Sequence, residues 1–210
     1  MIAKVERIHS NKYAAAISVA KKFVAKSEIR PILRMVQHRT GGDIVATDSH
    51  SMFVAKGVHG FKEEYLVDPN TLEFAIGNFP EVDKILPQDK EHTFTLNQTQ
   101  MAAWIHFHKS FKQLKLKYVT ANFDSESVKI EIKLPDNNAT MTLPISDYNP
   151  QNANCEKISY SPEYMLESLQ GLQMLGSEKI KFKFYGQLTP FVLDNGDDAV
   201  CLILPVRTYS

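Results

Sequence analysis

The sequence predicts an α+β protein of two similar domains, each an antiparallel sheet with helices on one face. Short alternating segments outnumber amphipathic ones, so strands outnumber helices. The order strand, helix, strands, helix is written twice, at an interval of roughly 90 residues, which is too long for solenoid repeats. The 210 residues leave room for two domains of about 100 each. The expected domains are 1–88 and 89–210.

The first domain opens with a short alternating segment. "SNKYAAAISVAKKFVAK" then reads as a helix capped by Ser10 or Asn11, with Tyr13, Ile17, Ala20 and Val24 as its buried stripe. Lys12, Lys22 and Lys26 fall on the opposite side. "ILRMVQ" and "DIVATD" read as strands joined by the turn "RTGG", and "SMFVAKGV" as a third. "VDPNTLEFAI" reads as a second helix, with Asp68 as N-cap and Pro69 at the first position. A proline-punctuated connector, "FPEVDKILPQDKEH", comes next.

The second domain restarts with "FTLNQTQMAAWIHF", a strand running into a helix capped by Asn97. Met101, Trp104, Ile105 and His108 share its apolar side. "LKLKYVTANF", "SVKIEIKL" and "ATMTLPI" read as strands, with Val128, Ile130, Ile132 and Leu134 on one face of the second. "YSPEYMLESLQGL" reads as a helix with Ser161 as cap and Pro162 at the first position. "EKIKFKFYG", "TPFVLDN" and "AVCLILPVR" complete the strands.

Several function classes fall away. Twenty-four basic residues balance 24 acidic ones, which excludes a wholesale polycation but not a local basic face. Cys155 and Cys201 lack Cys-x-x-Cys spacing; a reduced, cytoplasmic setting is the simplest reading, with one disulfide as the alternative. Lys4, Glu6 and Arg7 interrupt any leader-like apolar run. No stretch approaches the roughly 18 apolar residues that span a membrane. Asp48, Ser49 and His50 stand side by side in "IVATDSHSMF", yet neighbours in an extended segment point to opposite faces and cannot converge as a triad. A turn braced by Thr47, Asp48 and Ser49 is expected there instead. His106 and His108 lack the four-residue spacing of a helical metal pair, and "TGGD" lacks the Lys-Ser/Thr of a phosphate loop. No nucleophile, base or metal set points to an enzyme, and no cofactor is expected.

Three segments carry a family resemblance. "VATDSHSMF" resembles the Ala-Thr-Asp-Gly-His-Arg-Leu segment of the bacterial β sliding clamps (DNA polymerase III beta subunit), with Ser49 in place of the glycine. "NFPEVDKILP" resembles the Phe-Pro-Asp…Leu-Pro linker between that family's second and third domains. "YSPEYMLESLQGLQMLGSEKIKFKF", with the terminal "VCLILPVR", resembles its last helix and closing Met-Pro-Met-Arg strand. Family members have three domains; this chain has room for two, resembling the middle and C-terminal ones. Only "AIGN" separates the second expected helix from the Phe-Pro linker, so the first domain is abbreviated. Such a compact length fits a phage or mobile-element clamp.

The resemblance implies the DNA-clamp fold and a processivity factor that encircles or contacts duplex DNA. It further implies a homo-oligomeric ring, and partners among polymerase and clamp-loader peptides. Peptides would lie in an apolar pocket walled by Leu33, Thr47, His50, Met52, Pro87, Val192, Leu202, Leu204, Pro205, Val206 and Arg207. The chemistry is coherent, since a peptide site needs apolar anchoring area and a few polar groups for register. DNA phosphates would meet Lys12, Lys22 and Lys26, and Lys109, Lys112 and Lys115 just after the third expected helix. The bland counterparts are a solvated helix face for the lysines and a frayed core strand for the tail. The lysines of "KIKFKF" alternate with apolar residues and are expected on the outward face of a sheet. An alternative function is an adaptor that keeps the peptide pocket and forms no ring.

Overall fold

A computed structural model of the chain describes residues 6–85, 91–134, 138–151 and 157–208. Two compact units are present, Met1–Pro80 and Glu81–Ser210. The expected division after residue 88, and Pro87 with it, lie outside the described residues.

In the first unit, helix α1 (Tyr13–Ala20) packs on β2 (Ile44–Thr47) and β3 (Ser51–Ala55). Its N-cap is Lys12, without a side-chain cap, whereas Ser10 accepts the Lys12 N–H at 3.2 Å in the turn before it. The helix stops at Ala20, earlier than expected: the Lys22 and Phe23 amides bond to Val19 and Ala20 carbonyls three residues back, tightening the chain into a turn. The buried set is therefore Ala16, Val19, Ala20, Phe23 and Val24. Tyr13 and Ile17 are only half-buried.

The first sheet runs β3-β2-β1-β4-β5, all antiparallel, with β1 at Val36–His38, β4 at Tyr65–Val67 and β5 at Phe74–Ala75. "ILRMVQ" splits into a 3-10 turn, Pro31–Arg34, and β1, because Pro31 opens the turn. The expected helix over "VDPNTLEFAI" is absent. The Asp68 carboxylate does accept the amides of Asn70 and Thr71, at 2.7 and 3.4 Å. Leu72 then adopts φ +61, and the Asp68 amide reaches the Glu73 carbonyl at 2.9 Å, closing a β4–β5 hairpin. Asn70 and Thr71 compete poorly for helix, and Val67 and Leu66 offer strand pairing to Phe74 and Ala75. A second 3-10 turn, Asp83–Ile85, opens the second unit.

There, β6 (His92–Asn97) runs straight into α2 (Gln98–Gln113). Asn97 Oδ1 accepts the Gln100 amide at 3.0 Å, and Gln100 Oε1 accepts the Asn97 amide at 2.9 Å. This is a reciprocal capping box. Met101, Trp104, Ile105, His108 and Phe111 form its buried stripe. α2 ends in a Schellman motif: the Leu116 amide bonds to Phe111 and the Lys115 amide to Lys112, with Lys115 at φ +55. That stop removes "LKLK" from the expected strand, leaving β7 at Val119–Phe123. α3 (Pro162–Met174) ends the same way with Gly176 at φ +82, a conformation glycine adopts freely.

One sheet of this unit runs β10-β6-β12-β13-β14, with β10 at Ser146–Asn149, β12 at Lys179–Phe184, β13 at Phe191–Asp194 and β14 at Ala199–Ile203. The other runs β11-β7-β8-β9, with β8 at Ser127–Lys133, β9 at Asn138–Pro144 and β11 at Lys157–Tyr160. β8 alternates strictly, burying Val128, Ile130 and Ile132, while Leu134, just past its end, is half-buried. Phe94, Trp104, Phe182, Phe184 and Phe191 build an aromatic core, with Phe94 stacked on Phe182 at 4.5 Å. The outward lysines of β12 meet carboxylates: Lys179 with Asp147, Lys181 with Glu91, Lys183 with Asp194. Helix-and-strands is thus complete twice in this unit and once in the first.

Candidate functional site

The Thr47–Ser51 corner joins β2 to β3. Asp48 Oδ1 accepts the His50 amide at 2.9 Å, the Ser51 amide at 2.7 Å and the Ser51 hydroxyl at 3.1 Å. Thr47 Oγ1 donates to the Ser51 carbonyl at 2.7 Å and accepts the Ser49 amide at 3.1 Å. Ser49 sits at φ +76, where a side chain costs roughly 1–2 kcal/mol relative to glycine. Asp48 Oδ1 is thus engaged by two amides and a hydroxyl of its own turn, and it braces the corner. His50 is left exposed at the tip, while Thr47 and Met52 are buried at its root. Leu33 is buried in the 3-10 turn, its carbonyl accepting the Ala25 amide.

In the second unit, Val192 and Leu202 are directly paired across β13 and β14 and both are buried. The chain leaves the ladder after Ile203. Pro205 has no amide to continue it. Leu204, Pro205 and Val206 are half-buried, and the Val206 amide donates to the Ser159 carbonyl of β11 at 2.7 Å. This docking leaves a groove of about 420 Å³ between tail and loop, lined by Lys157, Ser159, Gln187, Leu188, Val206 and Arg207 among others. Leu188 is 63% exposed there. Two cations and an exposed apolar side chain face it, and among the described residues no carboxylate lines it. Val206 and Arg207 were expected from sequence. Lys157 and Leu188 were not, because only the fold brings "GQLTP" beside the tail.

The lysines divide. Lys12 is the α1 N-cap, and Lys22 and Lys26 lie beyond the helix end rather than along its face. Lys109 and Lys112 lie within α2, which is the second helix and not the third; Lys115 comes just after it. Lys112 bonds Glu163 of α3 at 2.8 Å, a hydrogen bond that holds its pKa up. It braces α2 against α3. Lys26, Lys109 and Lys115 are exposed.

Three histidines that sequence spacing leaves unrelated gather in the first unit. His38 lies 4.9 Å from His59, and His9 6.5 Å from His59, between ring centroids. His38 Nδ1 donates to the Val36 carbonyl and its Nε2 accepts from Tyr13; His59 Nε2 donates to the Asp43 carbonyl and its Nδ1 accepts the Phe61 amide. Burial pushes His38 down to about 4, with His59 and His9 adding repulsion. Both ring nitrogens are used in each of those two, so His38 and His59 are packed as neutral rings. Among the described residues no group is arranged to hold a metal ion. His108 of α2 is likewise core: it donates to the Trp104 carbonyl and accepts from the Tyr160 hydroxyl, and burial pushes it down to about 4. Cys201 is a free, buried thiol; Cys155 lies outside the described residues.

No family model matches the chain. It is 31% identical over 176 residues to the β sliding clamp of Bacillus subtilis, covering 80% of this chain and 41% of that protein. Its structure superposes over 100% of its length on 67% of the B. subtilis sliding clamp, with a TM-score of 0.81 and 21% identity. The chain is a relative of the bacterial β sliding clamps. The Streptococcus pneumoniae clamp matches at 28% over 142 residues, 63% of this chain and 35% of that one. A Helicobacter pylori β clamp solved with a DNA ligase peptide has a TM-score of 0.75 at 13% identity, over 99% of this chain and 68% of that one. The fold is therefore the sliding-clamp fold, with the first unit abbreviated. The chain spans about two fifths of the length of the B. subtilis relative. No helix among the described residues is long and apolar enough to cross a membrane.

Proposed function

We propose that the chain is a non-catalytic, sliding-clamp-type processivity factor. It holds duplex DNA through phosphates and docks short peptides of polymerase and clamp-loader type. The observation that carries this is the tail: Leu204 to Arg207 leaves its strand at a proline and is pinned to β11, leaving a groove with apolar area and two cations. Apolar anchoring with a few polar groups is what extended-peptide recognition requires. Leu204, Pro205 and Val206 of the tail, with Val192 and Leu202 of the strands before it, supply the apolar side of the peptide site.

For DNA, Lys26, Lys109 and Lys115 are the phosphate contacts of choice, with Lys12 and Lys22 in support and Lys112 held by Glu163. Charge contacts of this kind carry no base information and permit sliding. The peptide half is tested by fluorescence anisotropy of a labelled polymerase-type peptide. Deleting residues 204–210 abolishes binding while circular dichroism stays native; retained binding places the peptide elsewhere.

A further inference from the structure

β11 is the outer strand of its sheet, and the Val206 amide pins the tail to it at the Ser159 carbonyl, 2.7 Å away. Ser159 is itself fixed, because its hydroxyl bonds Thr120 of β7 at 2.8 Å. Lys157 stands two residues before Ser159, on the same face of the strand, and is exposed. Arg207 of the tail and Leu188 of the β12–β13 connection are exposed as well and line the same groove.

Four other strand lysines of this unit are answered by carboxylates: Lys129 by Asp124, Lys179 by Asp147, Lys181 by Glu91 and Lys183 by Asp194. Lys157 and Arg207 pair with no carboxylate among the described residues. Glu131 of β8 lies in the row Ser159–Thr120–Glu131, two strands away, about 10 Å at the usual strand spacing, and accepts from Asn122 Nδ2 at 3.0 Å. Lys129 and Lys133 share its face of β8. The β7–β8 turn brings Asp124, engaged by Lys129 and the Ser125 amide, and Glu126; neither lines the groove. Glu156, next to Lys157 in sequence, lies outside the described residues. Two like charges and an exposed leucine thus share one groove. A phosphate backbone answers the charge but brings no apolar side chain, whereas a peptide with an acid beside an apolar residue answers both.

We propose that this groove prefers peptides in which an Asp or Glu lies one or two residues from an apolar side chain. Lys157 and Arg207 take the carboxylate, and Leu188 with Val206 takes the apolar side chain. Lys157 is the selecting residue: it comes from β11, outside the tail, and separates acidic from neutral peptides that the apolar contacts hold alike. This rests on the peptide-docking reading and names the peptides that reading admits.

Fluorescence anisotropy on the full chain tests it, with three labelled peptides that differ only in having Glu, Gln or Lys beside a leucine. The Glu peptide is expected to bind about five-fold tighter than the Gln peptide at low salt, with the advantage shrinking as salt rises. Lys157→Glu is expected to bring the Glu-to-Gln ratio near one and to strengthen the Lys peptide relative to wild type. Lys129→Gln, on a lysine already paired with Asp124, leaves the ratio unchanged. A misshapen groove would weaken all three peptides alike, so the change of order reads the charge and not the fold. Wild-type binding of the Glu and Gln peptides with equal affinity overturns the selectivity and leaves peptide docking standing. Lys157→Glu weakening all three equally overturns it too, since Lys157 would then be structural. Displacement of the Glu peptide by duplex DNA, with duplex affinity cut by Lys157→Glu, overturns it in favour of a phosphate site. Binding of none of the three peptides overturns the docking reading and the selectivity together.

Discussion

Asp68-Pro69 and Ser161-Pro162 are nearly the same start signal, one in each unit, and only the second begins a helix. The difference does not lie in the cap. Asp68 makes the capping bonds, to Asn70 and Thr71, and opens a hairpin loop. Ser161 makes no side-chain cap bond and opens α3. The difference lies in the residues downstream of each proline. After Pro162 come Met165, Leu166, Leu169 and Leu172, a stripe at helical spacing that is buried throughout. After Pro69 come Asn70 and Thr71, then alternating Leu72, Phe74 and Ile76, which suit a strand edge. A cap orients the first turn; the buried stripe supplies most of the stabilisation.

The strongest test of that difference removes part of the stripe. Leu169 is fully buried in α3, so Leu169→Ala is expected to cost about 2–5 kcal/mol in urea unfolding. A cost below about 1 kcal/mol would mean that the stripe does not hold α3.

Acid provides the next largest effect and compares the two units through their buried histidines. His38 in the first unit and His108 in the second are both held near 4, below the ordinary value of 6.5. The unfolded chain binds these protons first. Stability is therefore fully present above pH 6.5 and falls as pH drops toward 4, by on the order of 2–3 kcal/mol for each histidine. His108→Gln should flatten the contribution of the second unit, and His38→Gln that of the first. A stability profile level between about pH 7 and 4 would contradict the neutral networks.

The caps themselves come last. Asn97→Ala breaks a two-way capping box and is expected to cost about 1 kcal/mol. Ser161→Ala removes no cap bond and is expected to stay within about 0.5 kcal/mol. Equal costs would show that Ser161 caps α3 in solution.

Local patterns were legible in the sequence where the physics is local. The alternation of β8, the stripe of α2, the Asn97 cap, the Asp48 brace and the outward lysines of β12 all arise from residues within a few positions of one another. What was not legible depends on distant partners. Glu163 of α3 claims Lys112 of α2. His9, His38 and His59 meet only once the sheet is formed. Leu188 reaches the tail only through the β12–β13 connection. Of the candidate site, the tail and the corner were readable as motifs; the groove beside the tail was not.

Chemical-shift mapping of a polymerase-type peptide on the full, isotope-labelled chain tests the central claim most directly, because it locates the site rather than merely detecting binding. The expected result is saturable shifts at the amides of Lys157, Leu188, Val206 and Arg207. Saturation with those amides unmoved, or no binding at all, would contradict it.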